Sequence, residues 1–259
     1  MTKLRLDQLL VQRGLAENRA RAQALILAGR VFSGEKRLDK PGQGVSAGIP
    51  LELRGEASPY VSRGGIKLAH GLDQFGIEPA GTVALDLGAS TGGFTDVLLR
   101  RGVARVYAVD VGHGQFDWSL RNDPKVIVLE HTNARYLNRN MIPEPIDLVV
   151  ADVSFISLKL ALPAALQLTR PGARLVALIK PQFEVGKGQV GKGGVVRDAT
   201  LHERVCTDID RWLEDDQRWH VLGVTESPIT GPKGNREFLI AARRGAQIPP
   251  SREGILRVP

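Results

Sequence analysis

A chain of 259 residues, 42% hydrophobic and 24% charged, has the make-up of a globular protein with one large domain or a large and a small one. It offers no run of about 18 apolar residues to span a membrane, "MTKLRLDQLLVQRG" lacks the apolar centre of a signal peptide, and one cysteine with five histidines excludes an internal disulfide and argues against a zinc site, so cytoplasm is the expected compartment. The net charge of +7 leans toward the start, where residues 1–60 carry ten Lys or Arg against six Asp or Glu, a balance that favours a polyanionic partner such as nucleic acid.

Two short helices come first. Leu6, Leu9 and Leu10 share a face of one, and Ala22, Leu25, Ile26 and Leu27 belong to the other, with Asn18 as N-cap and Gly29 as its close. "RVF" and "LEL" then read as short strands around the turn-rich "SGEKRLDKPGQGVSAG". The polar positions are mostly cationic: Arg5, Arg13, Arg19, Arg21, Arg30, Lys36 and Arg37. A module of this size, residues 1–58, has a marginal core of its own and works as an appendage. "RLDQLL", "NRARAQALILAGRV" and "KPGQGVSAGIPLEL" resemble the small RNA-binding module shared by a small-subunit ribosomal protein, tyrosyl-tRNA synthetases and many pseudouridine synthases. That resemblance implies an α+β module whose helices offer Arg5, Arg19, Arg21, Arg30 and Lys36 to RNA phosphates.

A linker at 59–63, within the polar "ASPYVSRGG", leads to the second domain, 64–245. "TVALDLG", "RVYAVDV", "VIVLEH", "IDLVVADV", "RLVALIK", "WHVLGVTES" and "REFLIAARR" are its strands. Helix-like stretches such as "TDVLLRRG" and "LKLALPAALQLT" lie between them, so the sheet is mostly parallel and covered on both faces. The last two strands follow each other without a helix and form an antiparallel edge pair. The tail, 246–259, is proline-bearing and expected to be poorly ordered.

The loop "DLGASTGGF" places Asp86, Gly88, Ser90, Gly92, Gly93 and Phe94 between the first strand and a helix. It nearly matches G-x-G-x-x-G, which argues for a nucleotide-type ligand on the loop and helix start. It also matches G-x-S-x-G formally, but no histidine stands in an obvious late catalytic loop. "GKGQVGKG" imitates a phosphate-binding P-loop and fails at Gly193, where Ser or Thr should hold magnesium. Asp110 ends the second strand, 22 residues after Gly88, where a carboxylate accepts both hydroxyls of a ribose. NAD and S-adenosylmethionine both fit that geometry; the looser glycine spacing suits the second, which has no pyrophosphate. Asn133, after the third strand, is an amide suited to an adenine edge.

If a methyl group is transferred, "ADVSF" after the fourth strand lacks the proline pair of amino-group methylation, and Cys206 lacks the Pro-Cys setting of carbon methylation. An oxygen acceptor remains. A ribose 2′-hydroxyl is a poor nucleophile and must be positioned and lose its proton. Lys180 at the mouth of an apolar strand, Asp152 at the end of the preceding one, Lys67 on a helix before the glycine loop and Glu237 at the start of the last strand are the candidates. They match in order and spacing the Lys-Asp-Lys-Glu tetrad of the FtsJ-like ribose 2′-O-methyltransferases. "SRGGIKL", "GASTGGFT", "GQFDWSLRNDP", "TNAR", "ADVSFISL", "IKPQFEVGKGQVGKGGVV" and "GNREF" resemble the haemolysin-A-type (TlyA) ribosomal RNA methyltransferases over residues 3–245.

The resemblance implies a Rossmann-like class I methyltransferase with a seven-stranded sheet and S-adenosylmethionine as cofactor. It implies Lys180 as base, Asp152 and Lys67 steering it, Glu237 completing the network, and a cytidine ribose in ribosomal RNA as substrate. Asp152 also borders the expected cofactor site. Arg63, Lys187, Lys192 and Arg197 are expected at RNA phosphate, the last three in or after a loop expected to stay mobile. Gly231, Pro232 and Gly234 form a turn that fixes Glu237, and Phe116 and Trp118 pack on the cofactor, stack on a base or belong to the core. Two other readings compete: a non-catalytic RNA-binding assembly factor, and a membrane-lysing protein.

Overall fold

The computed structural model describes residues 3–27, 29–54 and 59–245. The tail from 246 onward therefore lies outside the described residues.

The N-terminal module contains β1 (Lys3–Arg5), α1 (Leu6–Gln12), α2 (Arg19–Leu27), β2 (Val31–Ser33), β3 (Lys36–Arg37), β4 (Gly44–Ser46) and β5 (Glu52–Leu53). Leu6, Leu9 and Leu10 meet Ala22, Leu25 and Ile26 in a small core closed by Val31, Leu38 and Val45. The Asn18 Oδ1 accepts the Arg21 backbone N–H at 2.8 Å, the expected cap. Gly29 takes φ +68°, a left-handed helix end that a side chain disfavours. Strands β3, β2 and β5 form one sheet, with Val31 opposite Leu53. The pairing of β1 with β4, Leu4 opposite Val45, was not expected, because three-residue strands show no period.

The large domain runs α3 (Gly64–Gln74), β6 (Val83–Leu87), α4 (Gly93–Arg100), β7 (Arg105–Val109), α5 (Trp118–Arg121), β8 (Val126–Leu129), β9 (Ile146–Ala151), α6 (Leu158–Ala161), α7 (Pro163–Gln167), β10 (Thr169–Ile179), α8 (Pro181–Glu184), α9 (Ala199–Arg211), β11 (Trp219–Glu226) and β12 (Phe238–Arg244). The seven strands order as β11-β12-β10-β9-β6-β7-β8. Only β12 runs against the others: it lies between β10 and the edge strand β11 and pairs antiparallel with both, while all remaining pairs are parallel.

Alternate residues feed two cores. Leu85, Val149, Leu175, Ala177 and Ile240 face α6, α7 and α9. Ala84, Leu148, Val150, Val176 and Leu239 face α3 and α4 through Leu68, Leu72, Phe94 and Leu98. The expected helix "LKLALPAALQLT" is broken in two, since Pro163 cannot continue α6 and instead opens α7. Helix α3 lies flat on the sheet because Gly71 has no side chain; a Cβ there would stand 3.2 Å from Val176 and 3.4 Å from Leu239.

Candidate active site

Three strand ends and one helix bring the four charged residues together. Ala151 of β9 pairs with Ala177 of β10, so Asp152 and Lys180 leave neighbouring strands at the same end of the sheet. Phe238 starts β12 opposite Ile179, which puts Glu237 level with Lys180. Lys67 lies one helical turn before Gly71 and points to the same place. The Lys67 Nζ is 2.5 Å from Glu237 Oε2, and the Lys180 Nζ is 2.5 Å from Asp152 Oδ1. Lys180 also donates to Ser154 Oγ at 2.8 Å. All four charged residues line one cleft together with Arg63, Gly88 and Gly231. Their burial is nearly complete for three: Lys67, Lys180 and Glu237 are 8%, 7% and 1% exposed.

Burial alone would raise the Asp152 carboxyl, but Lys180 and Lys67 outweigh it and hold the group below its ordinary value. Asp86 has no such cations. Buried completely, it is pushed up to about 7, only partly relieved by the Thr95 hydroxyl that donates to it at 2.7 Å. Asp86 therefore does not reach the cleft as a cofactor contact; it lies beneath the glycine loop.

Beside the tetrad a second hollow of about 910 Å³ runs past Gly88, Ser90, Asp110, Asn133 and Phe155, a size that suits an adenosine-bearing ligand. Gly88 takes φ +79°, and a Cβ there would stand 2.6 Å from the Asp152 carbonyl oxygen, so the loop approaches the strand as only glycine allows. The Asp110 carboxylate accepts the N–H of Ser90 at 2.8 Å and of Gly112 at 2.7 Å, one on each oxygen. Each oxygen keeps a lone pair, which fits a ribose diol. Ser90 contributes its backbone rather than its hydroxyl to that bond. Asn133 Oδ1 caps the turn at Arg135, leaving the amide N–H₂ to donate into the hollow. Gly93 and Phe94 border the tetrad side, while Gly92 faces Leu120 and Phe116. These features fit S-adenosylmethionine, with the Asp152 carboxylate nearby to offset a sulfonium charge.

The expected RNA contacts separate into groups. Arg5 and Arg19 both bond the buried Asp7, at 2.8 Å and 3.0 Å, and stay partly exposed. Asp7 is held far below the usual carboxylate range, chiefly by Arg5. Arg21 and Arg30 border a hollow with Tyr60 and Ser62 of the connecting segment. Lys36, Lys192 and Arg197 are exposed, and the Lys187 side chain lies outside the described residues. Arg63 stands in the cleft, where burial lowers its pKa and Arg37 adds to the effect against Asp39 and Glu237.

The loop expected to be mobile is anchored in its distal half. Lys233 Nζ donates to Gly193 O at 2.8 Å, and the Asn235 amide donates to Gly194 O at 3.0 Å and accepts from Val196 N at 3.1 Å. Sequence reasoning missed Asn235, Ser154, Asp7 and Glu184. Glu184 accepts the Ser157 hydroxyl at 2.6 Å and the Leu158 N–H at 2.8 Å, and burial pushes its carboxyl up. Lone hydrogen bonds of this kind leave no period in a sequence; only the adjacency of Ser154 to Asp152 hinted at one.

Among the described residues no cluster of three His, Cys, Asp or Glu side chains forms a metal set, and no helix is long and apolar enough to cross a membrane. The FtsJ-like methyltransferase model matches residues 60–244, and the S4 domain model matches residues 4–48. The chain is 50% identical, over 93% of its length and 90% of the relative's, to the 16S/23S rRNA (cytidine-2′-O)-methyltransferase TlyA of Mycobacterium tuberculosis. It is 40% identical to Hemolysin A of Brachyspira hyodysenteriae, over 91% of this chain and 98% of that one. A solved structure from Streptococcus thermophilus that carries the hemolysin name has 41% identity and a TM-score of 0.73, covering 97% of this chain and 93% of that chain. With the tetrad, the glycine loop and both domain matches in place, the chain belongs to the FtsJ-like methyltransferase family, in its S4-bearing TlyA branch.

Proposed function

We propose that this protein transfers a methyl group to the 2′-oxygen of a cytidine ribose in ribosomal RNA. The observation that carries this is the convergence of Lys67, Asp152, Lys180 and Glu237 in one cleft beside the glycine loop. S-adenosylmethionine, when bound, supplies an electrophilic methyl on sulfur. Gly88, Asp110 and Asn133 would hold its adenosine, with Asp86 shaping the loop from below. For Lys180 to act as base it must first give up its own ammonium proton; the neutral amine would then take the proton of the positioned ribose 2′-hydroxyl, whose oxygen would accept the methyl group. Asp152 and Ser154 fix where the Lys180 nitrogen lies. The Lys67–Glu237 pair closes the far wall and keeps a second cation near Asp152.

Arg63, Lys192 and Arg197 would contact backbone phosphate near the cleft, with Arg5, Arg19, Arg21, Arg30 and Lys36 on the module side. Ribosomal RNA as substrate places the reaction in the cytoplasm, with RNA or a ribosomal subunit as partner. In the test, Lys180→Ala loses methyl transfer by at least about 10²-fold and keeps RNA binding. Full methyl transfer by that variant would refute the assignment, and RNA binding without transfer by the wild type would favour the assembly-factor reading.

A further inference from the structure

The stretch "GQFDWSL" carries two aromatic residues, and the fold sends them opposite ways. Phe116 is buried with Ala89, Ala108 and Leu120. Trp118, at the start of α5, is 74% exposed. It borders a separate cavity of about 500 Å³ whose walls come from both modules. Gln23 and Ala24 of α2 form one side; the stacked rings of His113 and His131, with Gln115, form the other.

Two adjacencies give this cavity meaning. Thr91 and Gln115 line it and also line the tetrad cleft, so the two spaces share a wall. Ala24 and Val61 line it and also line the hollow that holds Arg21 and Arg30. The carboxylates at its rim already have partners. Asp117 caps α5 at Ser119, and Glu130 accepts from Arg121 and from the Gly114 N–H. What faces a ligand is the exposed Trp118 indole and the Gln115 side-chain amide, with the exposed Arg21 in the adjoining hollow; the Gln23 amide already donates to Asp7 at 2.9 Å. That chemistry suits an unstacked base with its phosphate.

Resting on the ribose-methylation reading, we propose that this cavity is a subsite for the nucleotide next to the target ribose. Its base stacks on Trp118, and its phosphate lies toward Arg21. The site then reads one neighbour of the modified position, with the N-terminal module supplying one wall.

Three tryptophans are present, and Trp212 and Trp219 are only 8% and 2% exposed, so acrylamide quenching of tryptophan emission reports chiefly on Trp118. The substrates for the test are unmethylated small- and large-subunit ribosomal RNA transcripts and unmethylated ribosomal subunits. Trp118→Ala is expected to raise the RNA KM about tenfold or more, while Trp118→Phe keeps most of the wild-type value. Affinity for S-adenosylmethionine stays the same in both, and a bound transcript shields Trp118 from acrylamide. A wild-type KM in the alanine variant, an equal loss of cofactor affinity, or unchanged quenching with RNA bound would overturn the subsite. If the wild type methylates neither substrate, the ribose-methylation reading fails, and the quenching result still decides whether RNA covers Trp118.

Discussion

Asp86 lies on β6 and Asp152 just past the end of its partner β9, yet their surroundings treat them oppositely. Both are penalised by burial; two lysines reverse the penalty for Asp152, while Asp86 has the hydroxyl and backbone N–H of Thr95 against two neighbouring carboxylates. The folded-state value of Asp86, about 7, exceeds its ordinary 3.8. Its protonated form is the one the fold favours. Its contribution to stability is therefore complete below about pH 4 and lost as pH rises through about 7. Asp86→Asn, which keeps an acceptor for Thr95, removes that dependence. Urea unfolding at pH 5 and pH 8 should show the wild type losing more stability between the two than the variant, by an amount on the order of a few kcal/mol; parallel losses would contradict it. At this scale the sequence displayed the charged residues at strand ends, because an apolar run that stops on Lys180 or Asp152 is visible in one dimension. It could not display Ser154 or Asp7, whose partners are set by packing.

Connections between elements carry the next layer of control. The segment after β9 and the segment after β10 are laced by Lys180 to Ser154, by the rings of Phe155 and Phe183 at 5.1 Å, and by Glu184 to Ser157 and Leu158. Phe155 sits in the left-handed region at φ +64°, a conformation that its surroundings must impose. Glu184→Ala should lower kcat about tenfold or more with a smaller change in KM, and Glu184→Gln should recover most of it. Steady-state kinetics with both variants decides, and an equal effect of the two would contradict the role.

A Cβ on Gly231 would stand 2.0 Å from Glu237 Oε1. Gly231→Ala therefore displaces that carboxylate from Lys67, costing about 10²-fold in methyl transfer; activity within twofold of wild type would show that the Lys67–Glu237 contact is dispensable. The elements themselves were largely legible. Continuous apolar runs marked the buried strands, and cap residues marked α2. The β1–β4 pair, the Pro163 break and the early start of β10 at Thr169 were not, since short pairings and bulges follow from tertiary contacts.

Across the whole molecule, charge and topology point the same way. The cation-rich N-terminal module lies beside the cleft, near enough for Arg37 and Asp39 to influence Arg63. Parallel strands end where the tetrad and the glycine loop meet, the crevice position expected of an open α/β sheet. The connecting segment is packed rather than loose: Val61 N–H donates to Asp96 at 2.9 Å, and Ser62 lies where a Cβ on Gly93 would fall. Motif order along the chain made the fold and tetrad readable; the cavity shared by the two modules was not, because its walls come from segments about 90 residues apart. The most direct measurement is mass-spectrometric mapping of ribose methylation in ribosomal RNA from cells with this protein, without it, and with Lys180→Ala. A 2′-O-methylcytidine present only with the wild-type chain is the expected result; identical maps from all three, with the protein expressed and folded, would contradict it.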